Sequence, residues 1–260
     1  METRAQEGDA SIIRRQLLWI AAILVVAGAA WFAWTWGQET GWGNADRAVA
    51  RKMDLGEKAF VAGRLDDAAN YYRSVADRYP QHPQETQALT QLATVLQQQS
   101  RSQDALNVLQ RLDKELVNRA DKADLAAYTE LQIGKVKKDL GDFAGALEAY
   151  GQVRVQHAKT DWAGEAQSGI GEVLAAEGKY AEARAAYGQL IKELPGGFLA
   201  AEAQTSIGDC FEKEKNPKAA LKAYEVVLRK YPAAVWDTAQ ARVDALKKEL
   251  ETKSGKTSKG

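Results

Sequence analysis

Cysteine is nearly absent from this 260-residue chain, and its single copy, Cys210, excludes an intrachain disulfide. Cys210 lies in an apolar-periodic stretch, so a small buried hydrophobe is expected there, with a reactive thiol as the alternative. Histidine is almost as scarce. His82 and His157 are far apart, and neither has a second histidine or a cysteine at metal-ligand spacing, so no metal site is expected. No serine stands in a nucleophile-elbow context, and the glycines follow no strand, which argues against a hydrolase or a phosphate loop. Acidic residues such as Glu182 or Asp66 and Asp67 fall near expected helix starts, where capping or solvated charge explains them better than acid/base work. Neither a catalytic residue nor a cofactor is assigned, and an enzyme is not the reading these residues favour. Charge of one sign is also lacking: lysine plus arginine and aspartate plus glutamate both count 35, leaving no basic field for nucleic acid or an anionic surface. Five prolines and few β-branched runs leave a helical chain.

What the chain does have is one long apolar run, RRQLLWIAAILVVAGAAWFAWTWG, residues 14–37. From Leu17 through Trp34 there is no charged or strongly polar residue. Twenty helical residues rise about 30 Å, the thickness of a bilayer's hydrocarbon core. A buried core helix of this length would need an apolar surface all round it, which nothing else in the chain offers. Arg14 and Arg15 before Leu17 resemble a twin-arginine export signal, and Ala27-Gly28-Ala29 would pass for a cleavage site. The run nevertheless continues into Trp31, Phe32, Trp34 and Trp36, a group suited to the membrane interface, so a retained anchor over residues 17–37 is expected, with cleavage left open. The arginines precede the run, whereas Glu39 and Asp46 come before the first later cation, Arg47. That bias puts residues 1–16 in the cytoplasm and the rest of the chain outside it. Residues 38–48 read as a linker and 251–260 as a frayed basic tail.

The remaining chain repeats itself. IGKVKKDLGDFAGALEAYGQV from Ile133, IGEVLAAEGKYAEARAAYGQL from Ile170 and IGDCFEKEKNPKAALKAYEVV from Ile207 align at 37-residue offsets. Gly134, Gly171 and Gly208 correspond, as do Ala146, Ala183 and Ala220, and Tyr150, Tyr187 and Tyr224. An earlier unit carries Gly56, Gly63, Ala68 and Tyr72, and a weaker one Ala93, Ala105 and Leu109. Each unit reads as a first helix, a break at Gly63, Ser100, Gly141, Gly178 or Lys215, and a second helix. The small residues permit close helix approach, and the aromatic fills the space between units. Tyr79-Pro80, Leu194-Pro195 and Tyr231-Pro232 close second helices. Leu125, Trp162, Leu199 and Trp236 form a further ladder, read as hydrophobic packing rather than a ligand cage. A hairpin of this size cannot bury its apolar face alone, so stacked neighbours supply the core.

Gly171, Gly178, Ala183, Tyr187 and Pro195 stand at the spacing of the tetratricopeptide repeat, which the chain resembles over residues 49–232 in about five units. A 41-residue step between the second and third units implies an insertion near residues 115–124. Residues 233–250 read as a capping helix. The resemblance implies an all-α, right-handed superhelix of helical hairpins, here preceded by one transmembrane helix. It also implies a concave groove lined by first helices, with groove-facing side chains at the second, fifth, ninth and twelfth positions. These are Met53, Glu57 and Phe60; Gln87, Thr90, Thr94 and Gln97; Tyr128, Leu131, Lys135 and Lys138; then Glu165, Glu172, Glu202, Thr205, Asp209 and Glu212. The groove is expected to be amphipathic in its middle and acidic toward the carboxyl end. It lacks the basic and asparagine clamp of chaperone-tail-binding repeats.

A repeat domain on one amino-terminal anchor is similar to the inner-membrane, periplasm-facing repeat proteins associated with the bacterial Sec translocon. That similarity implies a protein-interaction scaffold with translocon subunits and periplasmic chaperones as partners, a bilayer contact through residues 17–37, and no nucleic acid. Repeat proteins of outer-membrane assembly, cell-wall or division machinery are the alternative resemblance.

Overall fold

A computed structural model describes residues 25–31, 45–117, 119–231 and 236–257. The regular structure among them is all helical. Residues 25–31 form α1, followed by α2 (Ala45–Val61), α3 (Leu65–Arg78), α4 (Glu85–Gln98) and α5 (Ser102–Leu116). A 3-10 turn, η1 (Ala120–Lys122), leads into α6 (Ala123–Asp139), α7 (Phe143–Gln156) and α8 (Trp162–Ala176). The chain continues through α9 (Tyr180–Glu193), α10 (Gly197–Lys213), α11 (Pro217–Lys230) and α12 (Trp236–Thr257).

Among the described residues no helix is long and apolar enough to cross a membrane. The apolar stretch 17–37 is described only at residues 25–31, which are helical and carry exposed Val25, Val26 and Trp31. The rest of that stretch, the preceding segment 1–16 and residues 38–44 lie outside the described residues. Two boundaries differ from the sequence reading: α2 begins at Ala45, inside the expected linker, and α12 runs to Thr257, past residue 250.

The helices gather into two compact units that divide between Ala88 and Leu89, within α4. In the first, α2 packs antiparallel on α3. In the second, each helix from α5 to α11 packs on its successor, and among the first helices α8 also touches both α6 and α10. Every expected break is a turn that needs the left-handed region: φ is 73° at Gly63, 80° at Gly141 and 76° at Gly178. Ser100 and Lys215 adopt the same conformation at 57° and 58°, which costs about 1 kcal/mol or more for a residue with a Cβ. Asn216 offsets that cost by accepting a hydrogen bond from the Ala219 N–H, with Pro217 preset at the helix start. The second helices end with Tyr79, Leu194 and Tyr231 as C-caps, each just before its proline.

The repeated glycine has a sharper role than close helix approach alone. A Cβ on Gly134 would stand 2.5 Å from the Tyr150 ring, and on Gly171 or Gly208 equally close to Tyr187 or Tyr224. Gly56 holds the same relation to Tyr72 at 2.6 Å. Tyr150 meets a second glycine, Gly169 of the next hairpin, at 2.6 Å, so its ring lies between α6 and α8. Each of these glycines therefore vacates a slot for an aromatic ring, and Tyr150 and Tyr187 also reach the next hairpin and tie it to their own. Cys210 is buried beside Tyr187, Leu190 and Ala203, and burial pushes its thiol up. This is the small-hydrophobe environment.

Candidate partner-binding face

The first helices α6, α8 and α10 lie side by side and present one side chain row each. On α6, Lys135 and Lys138 are half-exposed one turn apart. They reach α8, where Lys135 Nζ stands 3.2 Å from Glu165 Oε2 and Lys138 pairs with Glu172. Glu212 of α10 similarly meets Arg242 of α12 at 3.3 Å. At the start of the row, the Trp162 ring lies 5.1 Å from the Tyr128 ring, and its Nε1–H donates to Asp124 Oδ1 at 3.1 Å. Trp162 also leans on the core of Ala127, Leu131 and Tyr150, so this member of the expected ladder is packing with one polar edge.

Burial corrects two of the expected groove residues. Leu131 is 0% exposed and Met53 8%, so neither is available to a partner. Both occupy the fifth position of a first helix. Ala127, Leu131 and Gly134, like Val49, Met53 and Gly56, are spaced i, i+4, i+7 and form the buried stripe of the helix. Thr90 and Thr205 share that register and are half-buried, and the Thr205 hydroxyl donates back to the Ala201 carbonyl. Glu57 is exposed and Phe60 half-buried on α2 in the first unit, with Gln87 exposed there on α4. Thr94 and Gln97 are half-buried on α4 in the second unit, where the Gln97 amide N–H donates to Gln132 of α6 at 3.4 Å.

The expected acidity toward the carboxyl end is also largely neutralised from within. Glu165, Glu172 and Glu212 have cationic partners, and Asp209 accepts a 2.6 Å hydrogen bond from the Tyr224 hydroxyl. Glu202 is the exception. Its carboxyl is pushed up by partial desolvation first, then by Glu172 and Glu165. Among the described residues the face is therefore a row of cross-helix ion pairs with an aromatic end at Tyr128, and Glu202 of α10 stands in it without an ion-pair partner. Such a surface can bind a protein segment through mixed polar and aromatic contacts. Among the described residues no group of His, Cys, Asp and Glu side chains could hold a metal ion.

One cluster escaped the sequence reading. At the insertion between α5 and α6, a cavity of about 510 Å³ opens beside Asp113, Glu130 and His157. The 41-residue step was the available signal, but it located the extra residues and not the side chains they enclose.

Tetratricopeptide-repeat family patterns match residues 53–117 and 131–198, and a second repeat pattern of the same name matches 202–234. No curated protein matches. A crystal structure of MamA protein is similar at 22% identity and a TM-score of 0.54, covering 70% of this chain and 91% of that one. The nearly identical TPR-like repeats of a Podosopora anserina putative kinesin light chain give 14% identity and a TM-score of 0.59, covering 70% and 93%. BtubC (BKLC) from P. vanneervenii gives 14% and 0.58, covering 81% and 88%. At these identities the likeness is one of fold.

Proposed function

This chain belongs to the tetratricopeptide-repeat family, whose fold supports protein–protein interaction in general, and from that premise we propose a membrane-tethered scaffold that assists protein export. In this reading residues 17–37 anchor the chain in a bacterial cytoplasmic membrane. The repeats stand on the periplasmic side and hand exported chains from translocon subunits to periplasmic chaperones. The observation that carries the scaffold is the α6, α8, α10 face, whose Tyr128, Lys135, Glu172 and Glu202 project from a framework already held by buried tyrosines. The tether rests on the apolar run and its flanking arginines. The face needs no catalytic group to do this work.

Crosslinking in intact membranes, followed by identification of what is captured, tests the reading. Translocon subunits or periplasmic chaperones are expected, and recovery of neither would sink the export role. Capture of a cell-wall or outer-membrane assembly instead would keep the scaffold and replace its client. Release of the full chain from membranes by alkaline carbonate alone would contradict the anchor.

A further inference from the structure

Equal totals of basic and acidic residues over the whole chain conceal a local separation in its first hairpin. Because α2 and α3 run antiparallel, the first half of α2 lies against the last half of α3, where Lys52 Nζ donates to Ser74 Oγ at 2.9 Å. Arg47, Arg51 and Lys52 of α2 and Arg73 and Arg78 of α3 share that end, and the acids of the two helices there are Asp46 and Asp77. The opposite end, around the Gly63 turn, has the reverse balance, with Asp54, Glu57, Asp66 and Asp67 against Lys58 and Arg64.

The basic end is poorly matched from within the protein. Asp46 is held by His82 at 2.9 Å, and Asp54 is drawn toward the turn by Lys58 at 2.8 Å. Arg51, Arg73 and Arg78 form no ion pair among the described residues. Lys52 has a like charge for a neighbour: burial first, and then Arg78, pull its ammonium down from its ordinary value. Arg47, Arg51 and Arg78 are exposed, and Lys52 and Arg73 are half-exposed. An anionic surface laid against this end would relieve the repulsion between Lys52 and Arg78.

The covalent chain brings such a surface close. Helix α2 starts at Ala45, eight Cα–Cα steps after Gly37, where the apolar run ends. At no more than about 3.6 Å per step, Ala45 lies within about 30 Å of that end, and Lys52 only about 10 Å further along the helix. We propose that the basic end of the α2–α3 hairpin docks on the headgroups of anionic lipids, with Arg47, Arg51, Lys52 and Arg78 against the phosphates. Each lysine or arginine at such a surface strengthens the contact about fivefold. The proposal rests on the anchor at residues 17–37 and adds to it a second, salt-sensitive membrane contact. These cations belong to a folded domain and not to a short loop, so they do not oppose the direction in which the anchor is inserted.

The full chain with Cys210→Ala and one dye-labelled cysteine, at exposed Ala50 or at exposed Val61 toward the other end of α2, is reconstituted in vesicles doped with a headgroup-nitroxide lipid. Vesicles of phosphatidylcholine are compared with vesicles that also hold about 30% phosphatidylglycerol. Quenching of the dye at residue 50 is expected to rise at least about twofold with the anionic lipid and to fall back in about 1 M salt. At residue 61, about 16 Å along the helix, the rise should be much smaller. Arg51→Gln combined with Arg78→Gln, checked for retained helicity, should remove most of the rise at residue 50. Loss of the rise on adding inorganic phosphate at constant ionic strength would assign a free anion instead and overturn the lipid assignment. Flotation keeps the two readings apart. A chain that does not float with the neutral vesicles overturns the anchor and this proposal with it. A chain that floats, but whose quenching at residue 50 is equal in both vesicles or indifferent to salt and to the folded variant, overturns the proposal alone.

Discussion

The regular repeats from α6 to α11 and the junction between α5 and α6 differ in how they handle polar groups. In the repeats, buried tyrosines fill slots left by glycines, and lysines on one first helix meet glutamates on the next. At the junction, the turn η1 interrupts the connection from α5 to α6, and the Glu130 carboxyl, 13% exposed, lies 3.7 Å from His157 with its Oε2 in no hydrogen bond to a described residue. The buried Tyr150 hydroxyl also lacks a hydrogen-bond partner among the described residues, so the difference lies in charge: the regular repeats pair lysines with glutamates across helices, whereas the junction places a largely buried carboxyl near a second one, with His157 as its neighbour.

Removing the ring that defines the regular region should have the largest effect. Tyr150→Ala empties the space between Gly134 and Gly169, and a loss of about 3–5 kcal/mol is expected in urea denaturation. The junction should show its different character in pH dependence. Because the folded Glu130 carboxyl, at about 7, holds its proton better than its ordinary value of 4.5, the native state binds more protons between those values. Stability therefore falls as pH rises from about 4.5 to about 7 and levels off above it, by at most about 3 kcal/mol. Glu130→Gln should abolish that fall and stabilise the chain at about pH 8, where wild type carries the full penalty. Thermal melts across that range check both statements. Gly134→Ala, which drives a methyl into the Tyr150 ring, should cost about 1–3 kcal/mol, read in the same urea experiment. The smallest effect belongs to the exposed pairs. Lys138→Ala should change stability by less than about 1 kcal/mol while altering any partner affinity at the α6, α8, α10 face, measured by calorimetry against a captured partner.

The repeat architecture was legible because one unit is written several times. The turns at Gly63, Ser100, Gly141, Gly178 and Lys215 and the Tyr-Pro and Leu-Pro closures follow from local backbone chemistry that recurs in register. The face was legible in part. Lys135, Glu172 and Glu202, chosen by register, are solvent-accessible, but the same register also selects Leu131 and Met53, whose position lies on the same stripe as the buried glycine. The apolar side chains themselves carried that warning. The neutralisation of Glu165 and Glu172 by lysines one repeat earlier was hidden because it depends on how adjacent first helices pack. Asp113, Glu130 and His157 come from three helices or their ends and share no spacing, so only the fold brings them together.

In the proposed function the first-helix face of α6, α8 and α10, rather than the second helices, meets the protein partner. A photo-crosslinking residue placed in turn at Tyr128 and Glu202, and at exposed Gln152 of α7 and Lys222 of α11, tests it in intact cells. Partner crosslinks are expected from Tyr128 and Glu202 and are expected to be absent or much weaker from Gln152 and Lys222. Strong crosslinks from the two second-helix positions with none from the face would contradict it.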